Sequence, residues 1–304
     1  METFSKKRTV EDIVREYSAP LSILAAGALI AMTVYYAPAN RDANLSAETD
    51  ATKLQESVLP ADGVTLPITW GDLGAKLVEA GAIDPGKLAA LYQERGGFPD
   101  EYRKLIEKDA NEKIVITNWN SGYLLNLLWA LGLANKNSIL EDANEMMNPA
   151  YKGAGNFAST GGWTLARGDA MDHYNRHALV ALTAGQQTLV DRVSRNIYRP
   201  CCGNSTHFPD CNHGMAMLGL LELMAAQGAS EQEMYKTALA VNSYWFPETY
   251  LTLAAYMQQK NIAWKEVSPK EILGASYSSA SGYQDVSAQV NQLPELKKGS
   301  GCSA

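Results

Sequence analysis

Two stretches of the chain are almost wholly apolar, and the rest alternates short apolar stripes with turn residues. Asn120 to Leu133 (NSGYLLNLLWALGL) is apolar nearly all round and is expected as a buried core helix, and Gly214 to Gly228 is an apolar helix whose one ionisable residue is Glu222. Around them the pattern is amphipathic. Leu73, Leu77, Val78 and Ala80 form a helical stripe stopped by Gly81. Asp84-Pro85 caps and opens a helix through Tyr92 that Gly96-Gly97 ends, and Pro99 to Lys108 repeats the pattern. Thr183, followed three residues on by Gln186, makes a capping box for a helix that runs through Ile197 and is stopped by Pro200. Ser230-Glu231-Gln232-Glu233 caps another, and Pro247 opens a further one through Met257. A helix is also expected from about Asp169, carrying Asp172, His173, His177 and Leu179. Lys113 to Thr117 (KIVIT) has strong strand character but stands alone, so it reads as an extended lead-in. The pattern predicts a mainly α, multi-helix domain over residues 66–273.

One apolar stretch is of a different kind. Ala19 to Ala39 carries no charge and has about the length that crosses a hydrocarbon core as a helix. Lys6, Lys7, Arg8 and Arg15 precede it and a lone Arg41 follows. Positive-inside reasoning then makes residues 1–18 cytoplasmic, residues 19–39 a transmembrane anchor in the lipid bilayer, and the body extracytoplasmic. A cleaved signal peptide ending near Ala37-Pro38-Ala39 is the alternative; Pro38 and the length of the stretch favour the retained anchor. Residues 40–65 are polar and read as a linker, and residues 274–304, rich in Ser, Gly and Gln, read as a flexible tail. The expected location is the cell membrane, single-pass.

Composition narrows the partners. The net charge of −7 over 304 residues is spread without long runs of one sign, which leaves no electrostatic footprint for nucleic acid. Gly153-Ala154-Gly155-Asn156-Phe157-Ala158 matches a dinucleotide fingerprint by letters only, because no strand precedes it and no helix follows.

The chemistry concentrates in a Cys/His loop at 199–214 between two predicted helices. Three of the four cysteines (Cys201, Cys202, Cys211) and two of the four histidines (His207, His213) fall there, on a loop punctuated by Pro200, Gly203 and Pro209. Such a loop can fold back on an ion. Thiolate and imidazole donors suit zinc, and the thiolates also suit Cu(I). Met215 and Met217 follow and could add thioethers, although methionine in an apolar helix usually packs. His173 and His177, four apart, would share one helix face and could join the same site; the alternative is a surface face with Asp172 and Arg176. Tyr174 stands where a zinc protease of the H-E-x-x-H type carries its Glu, which argues against that class. Glu222 is the lone ionisable residue from Gly214 to Ala226, either a buried carboxylate able to act as general base or a marker of a solvent-facing line. The cysteines also permit a disulfide staple or a thiol-disulfide centre, since export would place them in an oxidising space. Cys302, on the tail, is a fourth thiol.

The strings Arg199-Pro200-Cys201-Cys202-Gly203-Asn204 and Phe208-Pro209-Asp210-Cys211-Asn212-His213-Gly214-Met215-Ala216-Met217-Leu218-Gly219-Leu220 resemble a signature of membrane-anchored prokaryotic proteins, which carry no function over. Pro200-Cys201 followed by Cys202-Gly203 is more loosely similar to exported PCYCGC-motif proteins, presumed metal or thiol binders, although the interleaved C-x-C-x-C is missing here. The sequence therefore points first to a membrane-anchored metal-binding module for copper or zinc. A thiol-disulfide redox protein and a metal-dependent enzyme with Glu222 as base are the alternatives.

Overall fold

A computed structural model describes residues 50–107 and 110–290. The expected anchor at 19–39 lies outside them, and among the described residues no helix is long and apolar enough to cross a membrane. The architecture is mainly helical with a two-stranded sheet.

In chain order, strand β1 (Val64–Gly71) leads to helix α1 (Leu73–Ala80), α2 (Pro85–Glu94) and α3 (Asp100–Glu107), followed by β2 (Ala110–Ile116) and α4 (Ser121–Ala134). A long segment with only short 3-10 turns runs to α5 (Ala184–Ser194), and the Cys/His loop then opens α6 (Asn212–Ala226). α7 (Glu231–Trp245), α8 (Pro247–Gln259) and three short helices, α9 (Pro269–Ile272), α10 (Ala275–Ser278) and α11 (Ala280–Ser287), complete the body. The expected caps form: Asp84 accepts from the Gly86 and Lys87 amides, and Thr183/Gln186 and Ser230/Glu233 close reciprocal boxes.

The core is organised on α4 and α6. Both are buried along nearly their whole length, Asn126 and Glu222 included. Their backbones come close because two glycines meet at the crossing. A β-carbon on Gly132 would lie 2.1 Å from the Met215 carbonyl oxygen, and one on Gly219 would lie 2.4 Å from that of Leu128. Any side chain at either position would force the helices apart.

Three expectations are corrected. KIVIT is not an isolated lead-in: it belongs to β2, which pairs antiparallel with β1 in the register Val64 with Ile116 and Thr69 with Lys113. β1 buries Leu66, Ile68 and Trp70 on one face in strict alternation. Its Thr69 backbone is bound by the Gln227 side chain, whose amide accepts from Thr69 N at 2.9 Å and donates to Thr69 O at 2.7 Å. The linker expected over 40–65 is already part of the fold at residues 54–59, where Leu54, Val58 and Leu59 pack against the core. Within the tail expected over 274–304, Ala275–Ser278 and Ala280–Ser287 instead form α10 and α11, with Ser278 and Val286 buried, while 291–304 lie outside the described residues.

The α4/α6 crossing generates a prediction. Gly132→Val or Gly219→Val is expected to lower the unfolding free energy by about 2–3 kcal/mol or more, as overpacking does. Gly122→Ala, whose β-carbon would meet nothing within 4 Å, is expected to be neutral or mildly stabilising. Chemical denaturation of the three variants checks this; equal effects at all three positions would contradict it.

Candidate functional site

The loop at 199–214 is shaped by the side chain at its start. Arg199 is 1% exposed. Its guanidinium donates from Nε to Cys211 Sγ (2.9 Å), from Nη1 to the Asn204 carbonyl (3.1 Å), and from Nη2 to the Phe208 carbonyl (3.0 Å) and Asp210 Oδ1 (2.5 Å). One side chain thus binds the loop at four places. Gly214 gives it room: a β-carbon there would lie 2.5 Å from the guanidinium carbon. Backbone bonds close the base of the loop, with Tyr198 bridging Ser205 and Thr206 N donating to Ile197 O at 2.8 Å. The segment expected as a tail supplies a wall, since Ala280 N donates to Cys202 O at 2.9 Å.

This frame brings the three sulfurs together. Cys201 Sγ lies 3.6 Å from Cys211 Sγ. The potential ligand atoms of Cys201, Cys211 and His213 all lie within 4.8 Å of one another, as do those of Cys202, Asp210 and Cys211. His213 sits at the start of α6, buried with its ring centroid 4.4 Å from that of Phe246. Cys201 is exposed, while Cys202 and Cys211 are half-buried. These Cys, His and Asp side chains could hold a metal ion.

The electrostatics divide the sulfurs. Hydrogen bonds from the Cys201 and Cys202 thiols, with help from His213 and the Arg199 charge, hold the Cys211 thiol far below the ordinary range despite its burial. The bonds Cys201 donates to Cys202 and Cys211, with burial, push Cys201 up. Cys202 also rises: its contact with Cys201 lowers it, but Cys211 and burial outweigh that. Burial disfavours the charged guanidinium, yet the charges of Cys211, Cys202 and Asp210 hold Arg199 above its ordinary value.

The remaining expected ligands lie elsewhere. His207 leaves the sulfur cluster altogether. It is buried between Glu145, at 3.1 Å from Nδ1, and Asp191, at 2.8 Å from Nε2, with Arg195 beside it. With Asp142 and Glu145 it forms a separate group of potential ligands within 4.8 Å. His173 and His177 do not share a helix face, because the expected helix from Asp169 is a 3-10 turn over Ala170–Asp172 followed by turns that include Asn175 at φ 55. The two rings still meet. His173 Nε2 donates to the Arg167 carbonyl at 2.8 Å, which leaves Nδ1 to accept from His177 Nε2 at 3.2 Å. Burial, then the His173 and Arg176 charges, pushes His177 below the ordinary imidazole value. Among the described residues, neither histidine belongs to a group of three or more potential ligands. Their pairing is a hydrogen-bonded structural contact at the end of α4, where His177 N donates to Ala134 O.

Glu222 is completely buried and receives amide protons on both oxygens, from Asn135 Nδ2 at 3.1 Å and from Asn137 Nδ2. Those amides are themselves fixed: Asn135 Oδ1 accepts from the Leu179 and Val180 amides, and Asn137 Oδ1 from Ile139 N and Gln187 Nε2. The carboxyl ties α6 to the chain leaving α4 and to α5. Nine residues beyond His213, it lies about 13 Å farther along the helix axis, out of reach of the sulfurs. Arg199 and Asp210, together with Asn204, whose Nδ2 donates to Asp210 Oδ2 at 2.8 Å, are the supporting residues of the loop. The signal for them is their place in RPCCGN and FPDCNHG, within the bends of the loop.

No protein-family model, curated protein or solved structure matches the chain.

Glu222 gives a prediction with a defined sign. Burial pushes its carboxyl up to about 8, against the opposing pull of the two amide donors, whereas in the unfolded chain it titrates near 4.5. Between those values the folded state holds a proton that the unfolded state has lost. Stability is therefore greatest below about pH 4.5 as far as this group is concerned and falls as pH rises toward 8, by up to about 1.4 kcal/mol per unit. Glu222→Gln is expected to flatten the profile across that window while losing one amide bond, at a cost of ~1–3 kcal/mol in the acid limb. Denaturant unfolding at a series of pH values checks this; parallel profiles for the two proteins would contradict it.

Proposed function

We propose that the chain is a metal-binding protein in which Cys201, Cys202, Cys211 and His213 hold one thiophilic transition-metal ion, zinc or copper. What supports this reading is that Cys201, Cys211 and His213 form one group of potential ligand atoms within 4.8 Å and Cys202 joins Cys211 in a second, on a loop braced by a buried guanidinium. Three thiolates and a nitrogen make a closed tetrahedral shell suited to zinc, and the same sulfurs suit Cu(I). Three thiolates and a divalent ion leave one negative charge beside the Arg199–Asp210 ion pair. Asp210 stays outside the shell, since Arg199 and Asn204 occupy its oxygens.

A shell closed by four protein ligands favours holding, storing or delivering an ion over catalysis, which needs an open position. Glu222 has no part in it. The anchor at 19–39 belongs to the same proposal: it would fix the site at an extracytoplasmic membrane surface, where an exposed Cys201 edge could pass an ion to or from a partner.

The test is a joint count of metal and thiol on the full-length chain, purified in mild detergent under reducing, anaerobic conditions. About one zinc or copper per chain is expected, with the loop thiols protected from alkylation in the loaded form. No metal on a fully reduced chain overturns the reading. His213→Ala should weaken binding by more than the roughly 10–100-fold typical of losing a supporting group, and Arg199→Lys by about that amount. His207→Gln, or His173→Gln with His177→Gln, should leave the metal content unchanged.

A further inference from the structure

We propose that Cys201 and Cys211 form a redox gate on this site: oxidation joins them and expels the ion. This rests on the metal reading above and adds its regulation.

The geometry singles out this pair. Cys201 and Cys211 approach to 3.6 Å between sulfurs, so that closing to a bond of about 2.05 Å needs only a small movement. Cys202 Sγ also lies within 4.8 Å of Cys211 Sγ, but its hydrogen bonds go to the Asn204 carbonyl at 3.9 Å and Asp210 Oδ1 at 4.0 Å. A bond between the neighbours Cys201 and Cys202 would be strained. The two partners also differ in access. Cys201 is exposed, while Cys211 is half-buried behind it, anchored by Arg199 at 2.9 Å and by its position at the start of α6. An oxidant therefore meets Cys201 first, and a fixed second sulfur waits behind it.

The oxidant required is a disulfide, either a small molecule or a protein. The Cys201 thiolate attacks RS–SR, forming a Cys201–S–S–R mixed disulfide and releasing one RS⁻. The Cys211 thiolate then attacks Cys201 Sγ and displaces the second RS⁻. Two electrons pass from the protein sulfurs to the external disulfide, and charge is conserved as the divalent ion leaves. Cys202 and His213 remain, and two ligands do not hold the ion. Reduction restores all four.

The experiment uses the full-length Cys302→Ser chain, reduced and loaded anaerobically with Zn(II), then treated with oxidised glutathione. Release is followed with a chromophoric zinc chelator, and the disulfides are mapped by mass spectrometry. Zinc release in step with a Cys201–Cys211 linkage, reversed by dithiothreitol, is the expected result. Cys201→Ser, treated in its metal-free form, should slow the loss of the remaining loop thiols to oxidised glutathione by at least about tenfold, since the accessible attacking thiol is gone. Cys202→Ser, oxidised in its metal-free form, should still give the Cys201–Cys211 linkage, with circular dichroism reporting that each variant is folded. Zinc retained beside a formed linkage, release without that linkage, or a linkage that joins Cys202 rather than Cys201 to Cys211 overturns the gate alone. A reduced chain that takes up no zinc overturns the metal reading and the gate with it.

Discussion

A guanidinium with almost no access to water sets the shape of the Cys/His loop. Burying a charge is costly unless it is paired and fully hydrogen-bonded, and Arg199 meets that demand by bonding two loop carbonyls, the Asp210 carboxylate and the Cys211 sulfur. The constraint runs both ways. The loop must curl around the cation to satisfy it, and the curl carries Cys201, Cys202 and Cys211 to one place. Gly214 completes the arrangement, because any side chain there would collide with the guanidinium.

The scaffold behind the loop is stiff for a separate reason. α4 and α6 cross in backbone contact at Gly132 and Gly219, so α6 has little freedom to shift. Glu222 adds a polar lock farther along the same helix, binding it through Asn135 and Asn137 to the chain that leaves α4. α6 is therefore held near its middle by packing and toward its C-terminal end by hydrogen bonds. Its N-terminal end, which presents Cys211 and His213, is held by Arg199. A preorganised ligand pair at the start of a fixed helix is what a metal site requires of its surroundings.

Much of this was legible in the sequence, and the failures have specific causes. The capping boxes at Thr183 and Ser230 and the all-apolar stretches around Leu127 and Leu220 located four helices, because local chemistry and burial agree there. β1 was hidden because Pro67, a residue that demotes a strand reading, stands within the alternation of Leu66, Ile68 and Trp70; it lies on the exposed face of a two-stranded sheet, where it is tolerated. The segment around His173 has helical spacing but is held by tertiary bonds, His177 to Ala134 and Asn175 to Leu133, that override it. His207 has the spacing of a loop ligand, yet its backbone pairs with Ser194 and turns the ring toward Glu145 and Asp191. The Ser-rich stretch after 274 reads as loose, but its serines cap and bridge: Ser279 caps α11 and Ser278 bonds Tyr250. Spacing identified the ligand types; which of them converge was decided by contacts far apart in sequence.

The central claim is that a transition-metal ion sits among these three sulfurs and one imidazole. X-ray absorption at the zinc edge of the reduced, zinc-loaded full-length chain tests it most directly. The account predicts a first shell of about three sulfurs near 2.3 Å and one nitrogen near 2.0–2.1 Å. A shell of nitrogen and oxygen alone would contradict it.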